Sequence, residues 1–279
     1  MVLSLSKKAE PRGVAKTLHL LAQTPNEAAV GVLITGLRSA EPALRAGALI
    51  AVLDRRSTTA QMEVLAKLHL HAEQWRPIID QRRGRMGHAL RNAVLASDTQ
   101  LSRNACQAIL WFREYDLLPT LITAAENVSH PCADVAAETI EALADLLYEE
   151  LAQPGNYGHR RDPQLLRNAM VTALESSLKR FHKHGRQTVT RAFLELAQRD
   201  NVVLKQVLHD PHHAAYVSVV NTLVSEQRGG IIRLLLSFLD DPKAPSTALS
   251  LIARRGDRKF LKNLLKRLHL EPSPQLAQN

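Results

Sequence analysis

A single turn holds the residues best suited to metal chemistry, His209, Asp210 and His212. Imidazole and carboxylate groups are ligands that zinc accepts. The same side chains also serve as ordinary surface or helix-capping groups, because they hold backbone amides and favour helix ends. No His is followed directly by Glu and no Cys-x-x-Cys occurs, so the common zinc signatures are missing. We therefore predict surface or capping histidines and no cofactor.

Other catalytic signatures are also missing from the sequence. It contains no Gly-x-x-x-x-Gly-Lys phosphate loop, no Gly-x-Gly-x-x-Gly and no Gly-x-Ser-x-Gly elbow. These motifs identify the commonest nucleotide-dependent enzymes, dinucleotide-binding enzymes and serine hydrolases. Their absence leads us to predict a protein that is not an enzyme.

Basic clusters make nucleic-acid binding the alternative function. Arginines and lysines that share one face would neutralise phosphates, and binding would weaken steeply with salt. Aromatic residues make up only 4% of the chain, so stacking on unpaired bases is not expected. The candidate basic surface consists of Arg82, Arg83, Arg85, Arg160, Arg161, Lys179, Arg180, Lys183, Arg254, Arg255 and Arg258.

Charge is unevenly distributed along the chain. The whole sequence carries 36 basic and 27 acidic residues, for a net charge of +9. The stretch from Glu114 to His159 has nine acidic residues and neither Lys nor Arg. This acidic block between two basic regions predicts a bipolar surface, unless solvated helix faces simply vary in charge.

The elements that position these residues are pairs of helices joined by short polar turns. In the clearest pair, an apolar helix over Leu117–Ala125 leads through Asn127 and Pro131 into a second helix that starts at Ala133. Turns containing Asp98, Asp210 or Asp241 are predicted to cap the second helix of other pairs. Each second helix contains a small residue that would allow close packing: Ala48, Ala105, Ala137, Ser218 or Ala248.

The periodicity also predicts where helices run unbroken. Apolar residues at helical spacing indicate single helices over Thr58–His69 and Gln164–His182. A last basic helix over Arg258–Leu268 carries an apolar stripe of Phe260, Leu261, Leu264, Leu265 and Leu268, which we expect to pack in the core. A helix lying on a membrane surface is a lesser alternative for this segment.

This recurring layout resembles the HEAT-repeat family, most closely its short bacterial form with units of about 30 residues. The matching segments are Leu37–Leu53, Leu95–Leu110, Leu117–Leu143, Leu204–Leu223 and Leu234–Ile252. The resemblance implies an all-α fold, a right-handed α-solenoid of antiparallel helix pairs. A single array would cover residues 1–270, with a loop insertion near 152–163 and a frayed tail over 271–279. The family's usual role implies a protein-interaction scaffold and brings no catalytic residues with it.

The residue types around two tryptophans resemble those of a related group of HEAT-like proteins, the alkylpurine DNA glycosylases. Those proteins grip damaged DNA with an aromatic cleft, an Asp and basic residues, and here Trp75 stands near Asp80 while Trp111 stands near Arg113 and Asp116. Tryptophans packed between helices explain the same residues, and that is our prediction.

The partner expected from these features is another protein. The final helix has little after it to cover its apolar stripe, which indicates docking there, self-association through the C-terminal end, or a longer native chain. No window reaches the run of about 18 apolar residues that a membrane span needs, so no transmembrane segment is predicted. We expect a cytoplasmic protein.

Overall fold

The computed structural model describes residues 12–153 and 162–269, and every regular element in these ranges is helical. This confirms the prediction of an all-α chain. Leu, Ala, Val and Ile side chains fill most of the core, and the few aromatic residues at its centre are Trp75, Phe193, Phe238 and Phe260. The chain divides into two compact units between Leu117 and Leu118.

The described part of the first unit consists of seven α-helices and a final 3-10 turn at Tyr115–Leu117. The helices are α1 (Arg12–Gln23), α2 (Ala28–Leu37), α3 (Pro42–Arg55), α4 (Thr58–Ala66), α5 (Leu68–Asp80), α6 (Gly87–Val94) and α7 (Thr99–Phe112). α2 packs on α3 and α6 packs on α7. Helices two positions apart also pack together: α4 lies against both α2 and α6, and α3 lies against both α1 and α5.

The described part of the second unit holds ten α-helices and a 3-10 turn at Phe238–Asp240. They are α8 (Leu118–Glu126), α9 (Ala133–Ala152), α10 (Pro163–Leu178), α11 (Phe181–His184), α12 (Gln187–Leu196), α13 (Val202–His209), α14 (Tyr216–Ser225), α15 (Gly229–Ser237), α16 (Ser246–Arg254) and α17 (Arg258–His269). α12 is the central element, since it packs on α9, α10, α14 and α15. α17 packs on α15.

Proline and capping side chains explain several helix starts. Pro42 and Pro163 occupy the first turns of α3 and α10, where a missing N–H costs nothing. Asp98 accepts a hydrogen bond from the Leu101 N–H at 2.9 Å, which confirms its predicted role as the cap of α7. Such caps define where a helix begins because they satisfy amides that have no partner within the helix.

The predicted caps at Asp210 and Asp241 are wrong. Asp210 accepts from the His212 N–H at 3.0 Å, and Asp241 accepts from the Lys243 N–H at 2.9 Å. Both carboxylates therefore shape the turn two residues further on instead of capping the following helix. α14 and α16 begin without a side-chain cap, after Ala215 and Pro245.

Two predicted helices are interrupted in the structure. The helix predicted over Thr58–His69 ends at Ala66, and α5 then begins at Leu68 and bends at His71, whose φ is −129°. The helix predicted over Gln164–His182 ends at Leu178. A separate short turn follows and ends at Gly185, whose φ of +61° suits glycine.

The small residues predicted inside the second helices are all buried. Ala48, Ala105, Ala137, Ser218 and Ala248 each lie in the core. A Cβ atom placed on Gly36 of α2 would come within 2.9 Å of the Ala48 Cβ, so α2 and α3 approach each other closely there. The short side chain of Ala48 therefore lies at a close helix contact, as the sequence predicted.

Candidate interaction surface

The arginines of the first basic cluster form ion pairs with two aspartates of their own unit. Arg82 Nε lies 3.3 Å from Asp54 Oδ1, and Arg85 Nη1 lies 2.8 Å from the same oxygen. Arg83 binds Asp80, with Nε 2.6 Å from Oδ1. The loop that the sequence predicted as a basic surface therefore contacts α3 and the end of α5, and two aspartates offset two of its three positive charges.

The second basic cluster is divided between a paired arginine and two exposed lysines. Arg180 lies against Glu126, with Nη2 2.8 Å from Oε1 and Nε 3.1 Å from Oε2. The Ser177 hydroxyl also donates a hydrogen bond to this carboxylate, at 2.6 Å. Lys179 and Lys183 are exposed and form no ion pair within the described residues. Only these two lysines extend freely into solvent.

Arg255, in the third cluster, does not lie on the surface. Its side chain is buried, and its guanidinium donates to the carbonyl oxygens of Leu223, at 2.7 Å, and of Glu226. Arg255 Nε lies 2.6 Å from Asp257 Oδ2. The assignment of Arg255 to an exposed basic surface is therefore wrong, because this arginine closes the C-terminal end of α14.

The remaining members of the basic surface have simpler surroundings. Arg254 and Arg258 are exposed, and neither forms an ion pair with another described residue. Arg160 and Arg161 lie outside the described residues, as do most of the insertion predicted near 152–163 and the tail predicted over 271–279. α9 ends and α10 begins at the two ends of that insertion.

Four of the nine residues in the acidic block pair with arginines that come later in the chain. Glu126 binds Arg180, Asp134 binds Arg186, and Glu141 binds Arg191 at 2.9 Å, with the partners 50 to 54 positions apart. Arg228 extends the series by binding Glu141 and, at 2.7 Å, Asp145. The charge asymmetry seen in sequence therefore becomes a set of contacts inside the second unit. These ion pairs leave fewer acidic groups to attract another molecule.

A buried carboxylate that the sequence analysis missed lies at the centre of the second unit. Glu195 of α12 accepts hydrogen bonds from the Gly230 and Ile231 amides, at 2.9 and 3.3 Å. These amides belong to the first turn of α15, where partial positive charge favours an anion. Burial raises the pKa of Glu195, and the two amide hydrogen bonds act in the opposite direction.

Burial also perturbs two neighbours of Glu195 in α9. It raises the pKa of Asp145 despite the nearby Arg228, and it raises the pKa of the Tyr148 hydroxyl. Buried carboxylates with raised pKa values are common in catalytic sites. Both oxygens of Glu195, however, hold helix amides, so its contacts indicate a helix-fastening role. The signal available in sequence was a charged residue inside the apolar run Phe193–Ala197, together with the glycine pair at the start of α15.

The histidine turn uses its polar atoms to shape the backbone. Asp210 holds the His212 amide, and His213 Nδ1 accepts a hydrogen bond from the Ala215 N–H at 3.1 Å. Within residues 12–153 and 162–269, no three His, Cys, Asp or Glu side chains are grouped so that they could hold a metal ion.

The two tryptophans have different surroundings within the first unit. Trp75 is buried in α5, which packs on α3 and α7, and its ring centroid lies 4.7 Å from that of His71 in the same helix. Trp111 is half-buried, and the Arg76 guanidinium lies 5.2 Å from its ring centroid. Burial, and then the charges of Arg45, Lys67 and His69, lower the pKa of His71.

An exposed aliphatic face lies on α14. Val217 and Val224 are 65% and 41% exposed, and their spacing of seven residues places them on the same side of the helix. The opposite side is held in the core, where the Ser218 hydroxyl donates to Thr190 Oγ1 at 3.1 Å. The valines therefore face solvent because of the way α14 is packed.

No described helix combines the length and the apolar character needed to cross a membrane. The chain matches no protein-family model, and no curated protein shows a significant match to it.

Proposed function

We propose that the chain forms a right-handed α-solenoid of HEAT-like antiparallel helix pairs. The packing of the first unit supports this arrangement. α2, α4 and α6 contact one another in sequence order, and α1, α3, α5 and α7 do the same. Stacked helix pairs produce two such rows, in which each helix contacts the next helix of its own row. The resemblance to HEAT repeats implies rows of this kind.

A repeated arginine contact gives further support to the repeat. Arg55, at the end of α3, donates to the carbonyl oxygens of Leu21 and Thr24, which lie 34 and 31 positions earlier. Arg255, just after α16, donates to carbonyl oxygens 32 and 29 positions earlier. The same contact at about the same interval in both units is expected if each unit is built from repeats of about 30 residues.

The function that we propose is a non-enzymatic, cytoplasmic scaffold that binds another protein. The single observation that carries this proposal is the exposed valine face of α14. Valine has few rotamers to lose on binding, and an apolar pair on a rigid helix gives a partner a surface to bury. Protein partners bury such groups, whereas nucleic-acid backbones offer mainly charge.

Nucleic-acid binding is the alternative that the structure favours less. The four arginines Arg82, Arg83, Arg85 and Arg180 are paired, and Arg255 is buried. Among the described members of the predicted basic surface, the ones that stay exposed without an ion pair are Lys179, Lys183, Arg254 and Arg258. Fewer available cations predict weaker binding and a smaller dependence on salt.

The test is affinity capture of native partners by the full chain in nuclease-treated extract. The scaffold proposal expects specific proteins to remain bound after nuclease treatment and to be lost with the double variant Val217→Asp/Val224→Asp. Leu165→Asp is the matched control, because Leu165 is an exposed apolar residue of α10. Capture that disappears with nuclease, or that the α14 variant leaves unchanged, would overturn the proposal.

A further inference from the structure

The outward side of α17 is apolar. Leu261, Leu265 and Leu268 are 41%, 54% and 46% exposed. Their spacing of four and three residues places them along one side of the helix. The stripe predicted to pack in the core is therefore divided, since Phe260 is fully buried while these three leucines face outward.

Basic side chains border this leucine stripe. Lys262 and Lys266 each follow a stripe leucine, so they lie about 100° around the helix axis from it. Both are exposed, as is Arg258, and none of the three forms an ion pair with a described residue. The sequence of α17 contains no acidic residue. Its solvent side thus combines a leucine row with a row of uncompensated positive charge.

Contacts on the other side of α17 keep this surface turned outward. The buried Phe260 ring lies 5.1 Å from the Arg255 guanidinium, and Arg267 pairs with Asp240. Asp257 accepts a hydrogen bond from the Phe260 N–H at 2.9 Å, which caps the first turn. The helix is therefore anchored at both ends, and its leucine and lysine rows have a defined orientation.

Three kinds of occupant differ in how well they match these rows. A nucleic acid would satisfy the cations but would leave the leucines exposed to water. In a second copy of the chain, Glu126, Asp134 and Glu141 of the acidic block already hold arginines. An anionic lipid surface supplies phosphate and carboxylate groups beside a hydrocarbon boundary, and so matches both rows at once.

We propose that α17 docks along the surface of an anionic phospholipid membrane. Its leucines enter the boundary between headgroups and acyl chains, while Arg258, Lys262 and Lys266 lie among the headgroups. This inference goes beyond the scaffold function, because it assigns a location at which a bound protein partner would be held. The valine face of α14 lies on another helix and takes no part in it.

The test is co-sedimentation of the full chain with phospholipid vesicles. Vesicles with about 30% phosphatidylserine should bind the protein, and phosphatidylcholine vesicles should bind it at least about tenfold more weakly. Binding to the anionic vesicles should fall as NaCl rises from about 50 to about 500 mM, because headgroup attraction is screened. Equal binding to both vesicle types, or binding to neither, would overturn the proposal.

Matched variants separate the two rows of α17 from general charge and folding effects. Leu261→Asp/Leu268→Asp and Lys262→Glu/Lys266→Glu should each weaken vesicle binding by about tenfold or more. Leu165→Asp and Lys179→Glu/Lys183→Glu should bind like the unmodified chain, and circular dichroism should show all four variants folded. The α14 variant should also bind vesicles normally, so a failure of the scaffold proposal would be seen separately.

Two further outcomes would replace the lipid with another occupant. Binding to duplex DNA that is lost with the lysine variant but kept with the leucine variant would overturn the lipid proposal in favour of nucleic acid. A concentration-dependent dimer that is lost with the leucine variant, together with unbound vesicles, would overturn it in favour of a second copy.

Discussion

Arg228 forms an ion pair with Glu141, a residue of α9 that lies 87 positions earlier in the chain. The same arginine binds Asp145 at 2.7 Å. Arg191 of α12 also contacts Glu141, at 2.9 Å. These pairs connect α9, α12 and the start of α15, so the second unit is held together by charge as well as by its apolar core.

Replacing Arg228 with Met should destabilise the protein by about 2 kcal/mol, because Asp145 would lose its arginine and the buried Glu141 would lose one of its two. Urea unfolding of the full chain measures the change. Arg38→Met is the matched control, since Arg38 is largely exposed and has a single partner, Glu63. We expect less than about 0.5 kcal/mol for the control. Equal effects of the two substitutions would contradict a special role for Arg228.

Gly230→Ala should cost more than about 2 kcal/mol, because a Cβ atom there would overlap the Glu195 backbone carbonyl, which cannot move aside. Gly31→Ala provides the comparison, as a Cβ atom on Gly31 meets nothing within 4 Å. Gly31 is in the interior of α2, so alanine should stabilise the protein by up to about 1 kcal/mol. Thermal unfolding of both variants tests the contrast, and a stable Gly230 variant would refute the close contact.

Glu195→Gln should change how stability depends on pH. Burial raises the pKa of Glu195 in the folded protein above the ordinary value of 4.5. At pH values between the ordinary pKa and the raised pKa, the folded chain binds more protons than the unfolded chain. The free energy of unfolding therefore falls as pH rises through this window. Glutamine does not titrate, and the variant should therefore gain stability relative to the unmodified protein as pH rises through this window.

Urea unfolding at a series of pH values measures this difference. The variant also carries a constant offset, because the glutamine amide cannot accept from both the Gly230 and Ile231 N–H groups. Glu138→Gln, at an exposed position of α9, provides the control for adding an amide. Parallel pH profiles for the Glu195 variant and the unmodified protein would show that this carboxyl does not titrate as its burial predicts.

Arg255→Met should destabilise the second unit by about 3 kcal/mol, because two carbonyl oxygens at the end of α14 and the Asp257 carboxylate would lose a buried donor. Its neighbour Arg254 is exposed and makes an ideal control, and Arg254→Met should change the free energy of unfolding by less than about 0.5 kcal/mol. Calorimetric unfolding distinguishes the two. A small loss of unfolding free energy in Arg255→Met would mean that water can replace the contacts of this arginine.

Local sequence patterns were enough to predict most helices. The second helix of the clearest pair was predicted to start at Ala133 and begins there, and the last helix begins at Arg258 as predicted. Apolar periodicity and turn-forming residues act over a few positions, so they can be recognised without knowledge of packing. The two helices that end earlier than predicted contain no glycine or proline within their predicted ranges. Their breaks at Lys67 and Lys179 carry no proline or glycine to mark them.

The candidate surface was harder to predict because burial and ion pairing depend on distant residues. Arg254 and Arg255 are adjacent and identical in type, yet one is exposed and the other is buried. Arg180 and Lys179 differ in pairing, since only the arginine contacts Glu126. Composition counts each of these charges equally, whereas a partner meets only those that remain in solvent.

The sequence by itself determined an all-helical chain with small residues at its close helix contacts, because both properties follow from side-chain type and spacing over one or two turns. The tertiary structure alone decided which charges neutralise one another and which leucines of α17 stay exposed. The pairing of the acidic block depends on segments 50 to 87 positions apart coming into contact, and no local pattern records which helix faces meet.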